Sequence, residues 1–109
     1  MPAAIVFTDK DMFLKFGVKY SAFASSNVEA IQFDPRTGDF YMQNIKKHRW
    51  YRYRGAGKKV AELMYMAASK GTAVWDELRI RGTRVGSRYP VDKDTPPPEY
   101  LPLSQESSA

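Results

Sequence analysis

The chain has 109 residues, 43% hydrophobic and 27% charged, with a formal net charge of +5, which leaves room for one domain with a modest core and favours polyanionic partners. With no cysteine and a single histidine, His48, the chain has no means of building a disulfide framework, a thiolate zinc site, a cysteine nucleophile or a multi-histidine metal centre, so no metal or other cofactor is expected. No apolar run approaches the ~20 residues that span a bilayer, and residues 1–8 lack the basic and long apolar regions of a signal peptide, so no membrane partner and a cytoplasmic location are expected.

Within residues 5–24, Met12, Phe13, Phe16, Val18, Tyr20 and Phe23 are compatible with a short helix followed by a strand, and residues 1–23 are read as a segment joining the core. Residues 28–33 are β-formers in approximate alternation that run into Asp34-Pro35-Arg36-Thr37-Gly38. Proline presets φ and the closing glycine supplies a left-handed residue, so residues 39–45 return as an antiparallel strand. The chain turns again at Lys46, Lys47 and His48. In residues 49–54, alternation sends Tyr51 and Tyr53 to one face and Trp50, Arg52 and Arg54 to the other.

Gly55-Ala56-Gly57 ends that strand, and Val60, Leu63, Met64 and Ala67 follow at helical spacing. A helix over residues 58–70 is predicted, with Gly71 as its left-handed C-cap. Residues 72–78 form a second helical turn carrying Val74, Trp75 and Leu78 to the core, with Trp75 as a packing residue. From Val91 onward the chain is rich in Pro and Ser without an apolar stripe, which reads as an extended arm outside the fold. The expected fold is therefore α+β: an antiparallel meander of three strands, or slightly more, backed by one main helix. Residues 24–90 form the domain with a basic connector, and residues 91–109 form the Pro-rich tail.

Ser25-Ser26-Asn27-Val28, Ile31-Gln32-Phe33-Asp34, Tyr51-Arg52-Tyr53, Ala67-Ala68-Ser69-Lys70-Gly71 and Leu78-Arg79 together resemble the KTSC family, named after the C-terminus of some lysyl-tRNA synthetases. The resemblance covers residues 24–79. It implies a small bacterial or phage module in which Tyr51 and Tyr53 are the family motif and RNA binding is the suggested role. Two departures stand out. The family usually has glycine in the turn before the tyrosines, where this chain has Lys46-Lys47-His48, and a Val-Pro step after them, where this chain has Ala56-Gly57.

Residues 46–59 carry seven cations, Lys46, Lys47, Arg49, Arg52, Arg54, Lys58 and Lys59, and three aromatics, Trp50, Tyr51 and Tyr53, with no carboxylate. Cations neutralise phosphates and flat rings stack on bases, the pairing that a single-stranded nucleic-acid groove requires. Trp50 and the cations are the expected contacts, with the two tyrosines turned inward. A basic hairpin with no ligand at all would look similar. A second run, Arg79, Arg81, Arg84 and Arg88 with Gly82 and Gly86, reads as a solvated connector. Residues 91–109 place Asp92, Asp94, Glu99 and Glu106 against Lys93 alone.

No catalytic constellation is present. Gly55-Ala56-Gly57-Lys58-Lys59 precedes a helix but lacks the spacing and hydroxyl residue of a phosphate loop. The expected function is a non-enzymatic module that binds RNA or another single-stranded nucleic acid. The alternative is a bacteriophage structural or assembly protein, located in the virion, whose core and arm bind neighbouring subunits. In that reading Pro97, Pro98, Tyr100 and Leu101 belong to a partner-binding arm, with the apolar Tyr100, Leu101 and Leu103 as its anchors. Either reading is compatible with a homo-oligomer.

Overall fold

The first helix, α1 (Asp9–Phe16), is bounded by local chemistry at both ends. The Thr8 hydroxyl accepts the Asp11 N–H at 3.1 Å and the Asp11 carboxylate accepts the Thr8 N–H at 3.4 Å, a reciprocal cap. These Thr8 hydrogen bonds hold the Asp11 carboxyl below its ordinary pKa. Gly17, at φ 69°, ends the helix in the left-handed region. A computed structural model describes this architecture for residues 7–80 and 86–99.

The fold is α+β, with a four-stranded antiparallel sheet in the order β1 (Val28–Asp34), β2 (Asp39–Asn44), β3 (Trp50–Tyr53) and β4 (Val91–Lys93). Gly38, at φ 82°, closes the first hairpin. Two cross-strand rows face the helices: Ile31, Met42, Tyr51 and Lys93, then Phe33, Phe40, Tyr53 and Val91. Phe13 and Leu14 of α1 pack on these rows with Val60, Ala61 and Met64 of α2 (Gly57–Met66). Each of the larger of these side chains, Phe13, Leu14, Val60 and Met64, contributes about 1.5–3 kcal/mol when taken out of water. Tyr20 exchanges backbone hydrogen bonds of 2.9 Å with Ile31, so the N-terminal segment pairs with the free edge of β1.

The predicted helix over residues 58–70 is shorter than expected. Its chain turns extended at Ala67, and Lys70 begins α3 (Lys70–Ala73), which passes into a π-helical turn (Val74–Leu78). Gly71 is not the C-cap; it lies inside α3, where a β-carbon would come within 3.0 Å of the Asn27 Nδ2. The capping is done by Lys70, whose Nζ donates to the Tyr65 and Ala67 carbonyls at 2.8 and 2.6 Å. Only 5% exposed, that ammonium also lies over the Tyr20 and Phe23 rings. Burial lowers its pKa from the ordinary lysine value. Trp75 is not sealed in the core; it is partly exposed, with the Arg79 guanidinium 4.3 Å from its ring centre.

The largest correction concerns the C-terminal segment. Residues 91–93 are a strand of the sheet, because β3 needs partners for its outer N–H and C=O groups and Val91 completes the Tyr53 row. Beyond β4, the Thr95 N–H donates to the Trp50 carbonyl at 3.2 Å, and the Pro98 carbonyl accepts from Gln32 Nε2 at 3.4 Å. The segment thus runs from β3 to β1 over the sheet face opposite the helices. Ala30, Gln32 and Tyr41 on that face are all buried.

Hydrogen bonds to a charged donor are worth about 1.5–3 kcal/mol. Lys70→Met is therefore expected to lower unfolding stability by about that amount in urea titrations, by releasing the last carbonyls of α2.

Candidate nucleic-acid interface

Four polar contacts shape the β2–β3 turn. Asn44 N–H donates to the Arg49 carbonyl at 2.9 Å and the Asn44 side-chain oxygen accepts the Lys47 N–H at 3.1 Å. Gln43 Nε2 donates to the His48 carbonyl at 3.3 Å. His48 adopts φ 51°, the left-handed conformation a glycine would take most easily, and its Nδ1 lies 2.6 Å from a Glu29 carboxylate oxygen. The turn therefore reaches a glycine-type conformation without glycine, through side-chain contacts. Lys46 and Lys47 stand exposed at its tip.

The three arginines that follow are not bare. Arg49 Nε lies 2.8 Å from Asp94, Arg52 reaches Asp92 through Nε at 2.8 Å and Nη2 at 2.7 Å, and Arg54 Nε lies 3.1 Å from the same Asp92 oxygen. The Arg52 pKa is raised chiefly by Asp92, with the nearby Tyr41 phenol a smaller cause. Charge density along residues 46–59 overstated the available surface, because the tail returns carboxylates to it as β4 and the turn after it. Asp94 has φ 55°, a conformation that brings its side chain back to Arg49.

Trp50 projects on the same face as Arg52 and is half-buried beside the tail, rather than an open platform. Lys58 and Lys59 are exposed in the first turn of α2, at the other end of β3 from Lys46 and Lys47. Lys58 contributes with Lys10 to holding the Glu62 carboxyl below its ordinary pKa, Lys10 being the larger cause. The seven cations do not form one continuous patch. Pro97 and Pro98 lie along the chain's own sheet, which corrects the reading of them as a projecting arm. Tyr100 and Leu101 lie outside the described residues, as do Arg81 and Arg84 of the second basic run.

Tyr51 and Tyr53 face inward, and their side of the sheet opens into a cleft of about 550 Å³ that the sequence reading missed. The clue lay in the alternation of β3, but the opposite wall comes from Val74, Arg79 and Ser87, far along the chain. Burial pushes the Tyr53 phenol up to about 12, partly offset by the nearby Arg79 charge. Among the described residues no cluster of three or more His, Cys, Asp or Glu is placed to hold a metal. No protein-family model matches the chain, and no curated protein matches it.

The Tyr53 shift from 10.0 to about 12 sets a pH dependence. A phenol whose folded pKa is raised contributes stability that is fully present below pH ~10 and lost as pH rises toward ~12, about 2–3 kcal/mol in total. Tyr53→Phe is expected to flatten the alkaline fall in stability over that window in denaturant titrations. An unchanged slope would place the titration elsewhere.

Proposed function

We propose that the chain is a KTSC-like, non-enzymatic module of the bacterial cytoplasm that binds single-stranded nucleic acid, RNA in particular, at the β2–β3 turn. One observation carries this reading. Lys46 and Lys47 stand exposed on a turn fixed by Asn44, Gln43 and Glu29, with no ion pair to a carboxylate among the described residues. A rigid turn that presents two unneutralised ammonium groups is suited to a phosphate backbone. Trp50 follows two residues after His48 and is half-buried, which leaves part of its side chain in reach of a base. The paired arginines support the patch differently. Arg49 and Asp94 form an exposed pair, weak in water, and a phosphate can replace the carboxylate.

A second reading, a phage virion subunit, is favoured by a different observation: Leu63, Met66, Trp75 and Ile80 are large apolar side chains left exposed on the helical side. Subunit packing there would be apolar and little affected by salt.

Fluorescence anisotropy with labelled single-stranded RNA between ~50 and ~200 mM salt distinguishes the readings. Each phosphate contact contributes a slope of about −0.7 in log K against log salt. Contact by Lys46 and Lys47 alone predicts about −1.4; recruitment of Arg49, Arg52 and Arg54 predicts about −3.5. The double variant Lys46→Glu, Lys47→Glu is expected to weaken binding at least about tenfold. Unchanged RNA affinity in that variant rejects the proposal.

A further inference from the structure

The cleft beneath Tyr51 and Tyr53 lies on the opposite sheet face from Arg52, and nothing in the nucleic-acid reading uses it. Its volume of about 550 Å³ falls within the range of small-molecule sites, about 300–1,000 Å³. Tyr53 is only 5% exposed, yet among the described residues its phenol oxygen has no hydrogen-bond partner. That oxygen is not sealed either, because no unpartnered side-chain oxygen or nitrogen is fully enclosed. A buried phenol ordinarily finds a partner, so a hydroxyl at the cleft with no hydrogen bond to a described protein group is placed to bond whatever enters it.

The groups around it are biased toward donors. Tyr51 presents a second phenol without a partner among the described residues. The Arg79 guanidinium, which also lies over the Trp75 ring, is close enough for its charge to act on the Tyr53 phenol, and Lys93 brings an exposed ammonium from β4. The Asn44 side-chain oxygen accepts the Lys47 N–H, while its amide N–H groups donate to no group among the described residues. Ser87 is committed, its hydroxyl bonded to the Leu78 and Tyr89 carbonyls. No carboxylate is among the described residues that line the cleft, while Met42, Val74 and Val91 give it an apolar wall.

We propose that this cleft binds a small organic anion, a phosphate or carboxylate group carried on an apolar body. The anionic group sits among Arg79, Lys93 and the two phenols, and the body lies on Met42, Val74 and Val91. No covalent step is involved. The site does not depend on RNA binding at the β2–β3 turn.

NMR titration of the full chain tests this with four probes: phenyl phosphate and benzoate as the two anion types, benzyl alcohol as a neutral counterpart, and inorganic phosphate without an apolar body. The expected result is saturable shifts at Tyr51, Tyr53, Val74 and Val91 with at least one aryl anion, at a Kd of about 0.1–1 mM. Benzyl alcohol and inorganic phosphate are expected to bind at least about tenfold more weakly. Tyr53→Phe, which keeps the ring, and Lys93→Ala, an exposed position, are each expected to weaken binding about five- to tenfold. Lys46→Glu with Lys47→Glu is expected to leave it unchanged, so that loss of RNA binding and loss of this site are separable. Absence of saturation by both aryl anions up to about 10 mM, equal binding of benzyl alcohol, or undiminished affinity in both cleft variants overturns the proposal. Which of the two aryl anions binds more tightly identifies the anionic group.

Discussion

Asp92 accepts a hydrogen bond from Arg52 on the neighbouring strand and forms an ion pair with Arg54 just beyond it, and much of the molecule's surface chemistry follows from those contacts. A carboxylate placed between two guanidinium groups fixes the register of a strand only three residues long, which backbone pairing alone would specify weakly. With β4 in that register, Val91 lands on the core face opposite Tyr53 and Lys93 opposite Tyr51. The same contact starts the course of the chain over the outer face, where the Pro98 carbonyl meets Gln32.

The sheet is consequently covered on both sides by different means. Helices pack against the Phe33, Phe40 and Tyr53 row, an ordinary apolar interface. On the opposite face Gln32, Tyr41, Arg52 and Asp92 make a polar row across all four strands, under a Pro-rich segment. Tyr41 is nearly sealed there and its phenol pKa is raised, with burial the main cause. Proline suits such a crossing, since it holds an extended course without requiring a ladder hydrogen bond at its own nitrogen.

Basic charge is redistributed by this arrangement. Arginines in the middle of the sheet are matched by tail carboxylates, and lysines with no ion pair among the described residues remain at its ends: Lys46 and Lys47 at the β2–β3 turn, Lys58 and Lys59 at the start of α2. The inner face carries its own separate chemistry. Tyr53 belongs to the core and also lines a cleft bordered by Arg79 and Lys93. Four residues of β3 thus supply two different surfaces, because a strand sends successive side chains to opposite sides.

Short-range patterns determined a good deal by themselves. The Asp34-Pro35-Arg36-Thr37-Gly38 turn, the alternation of Trp50, Tyr51, Arg52 and Tyr53, and the helical spacing of Val60 and Met64 are each decided by neighbouring residues, so the meander and its helix were legible from sequence. The capping pair of Thr8 and Asp11 is equally local and was available to be read. Tertiary structure alone decided the end of α2, where Lys70 rather than Gly71 supplies the cap through a folded-back side chain. It also decided that Val91, Asp92 and Lys93 are a strand, since three residues beside prolines carry too little periodic signal and gain their conformation only from the edge of β3. Charge along a sequence counts ions, but their availability depends on which carboxylates the fold returns to them; Asp92 lies 40 positions from Arg52 in the chain and 2.7 Å from it in space.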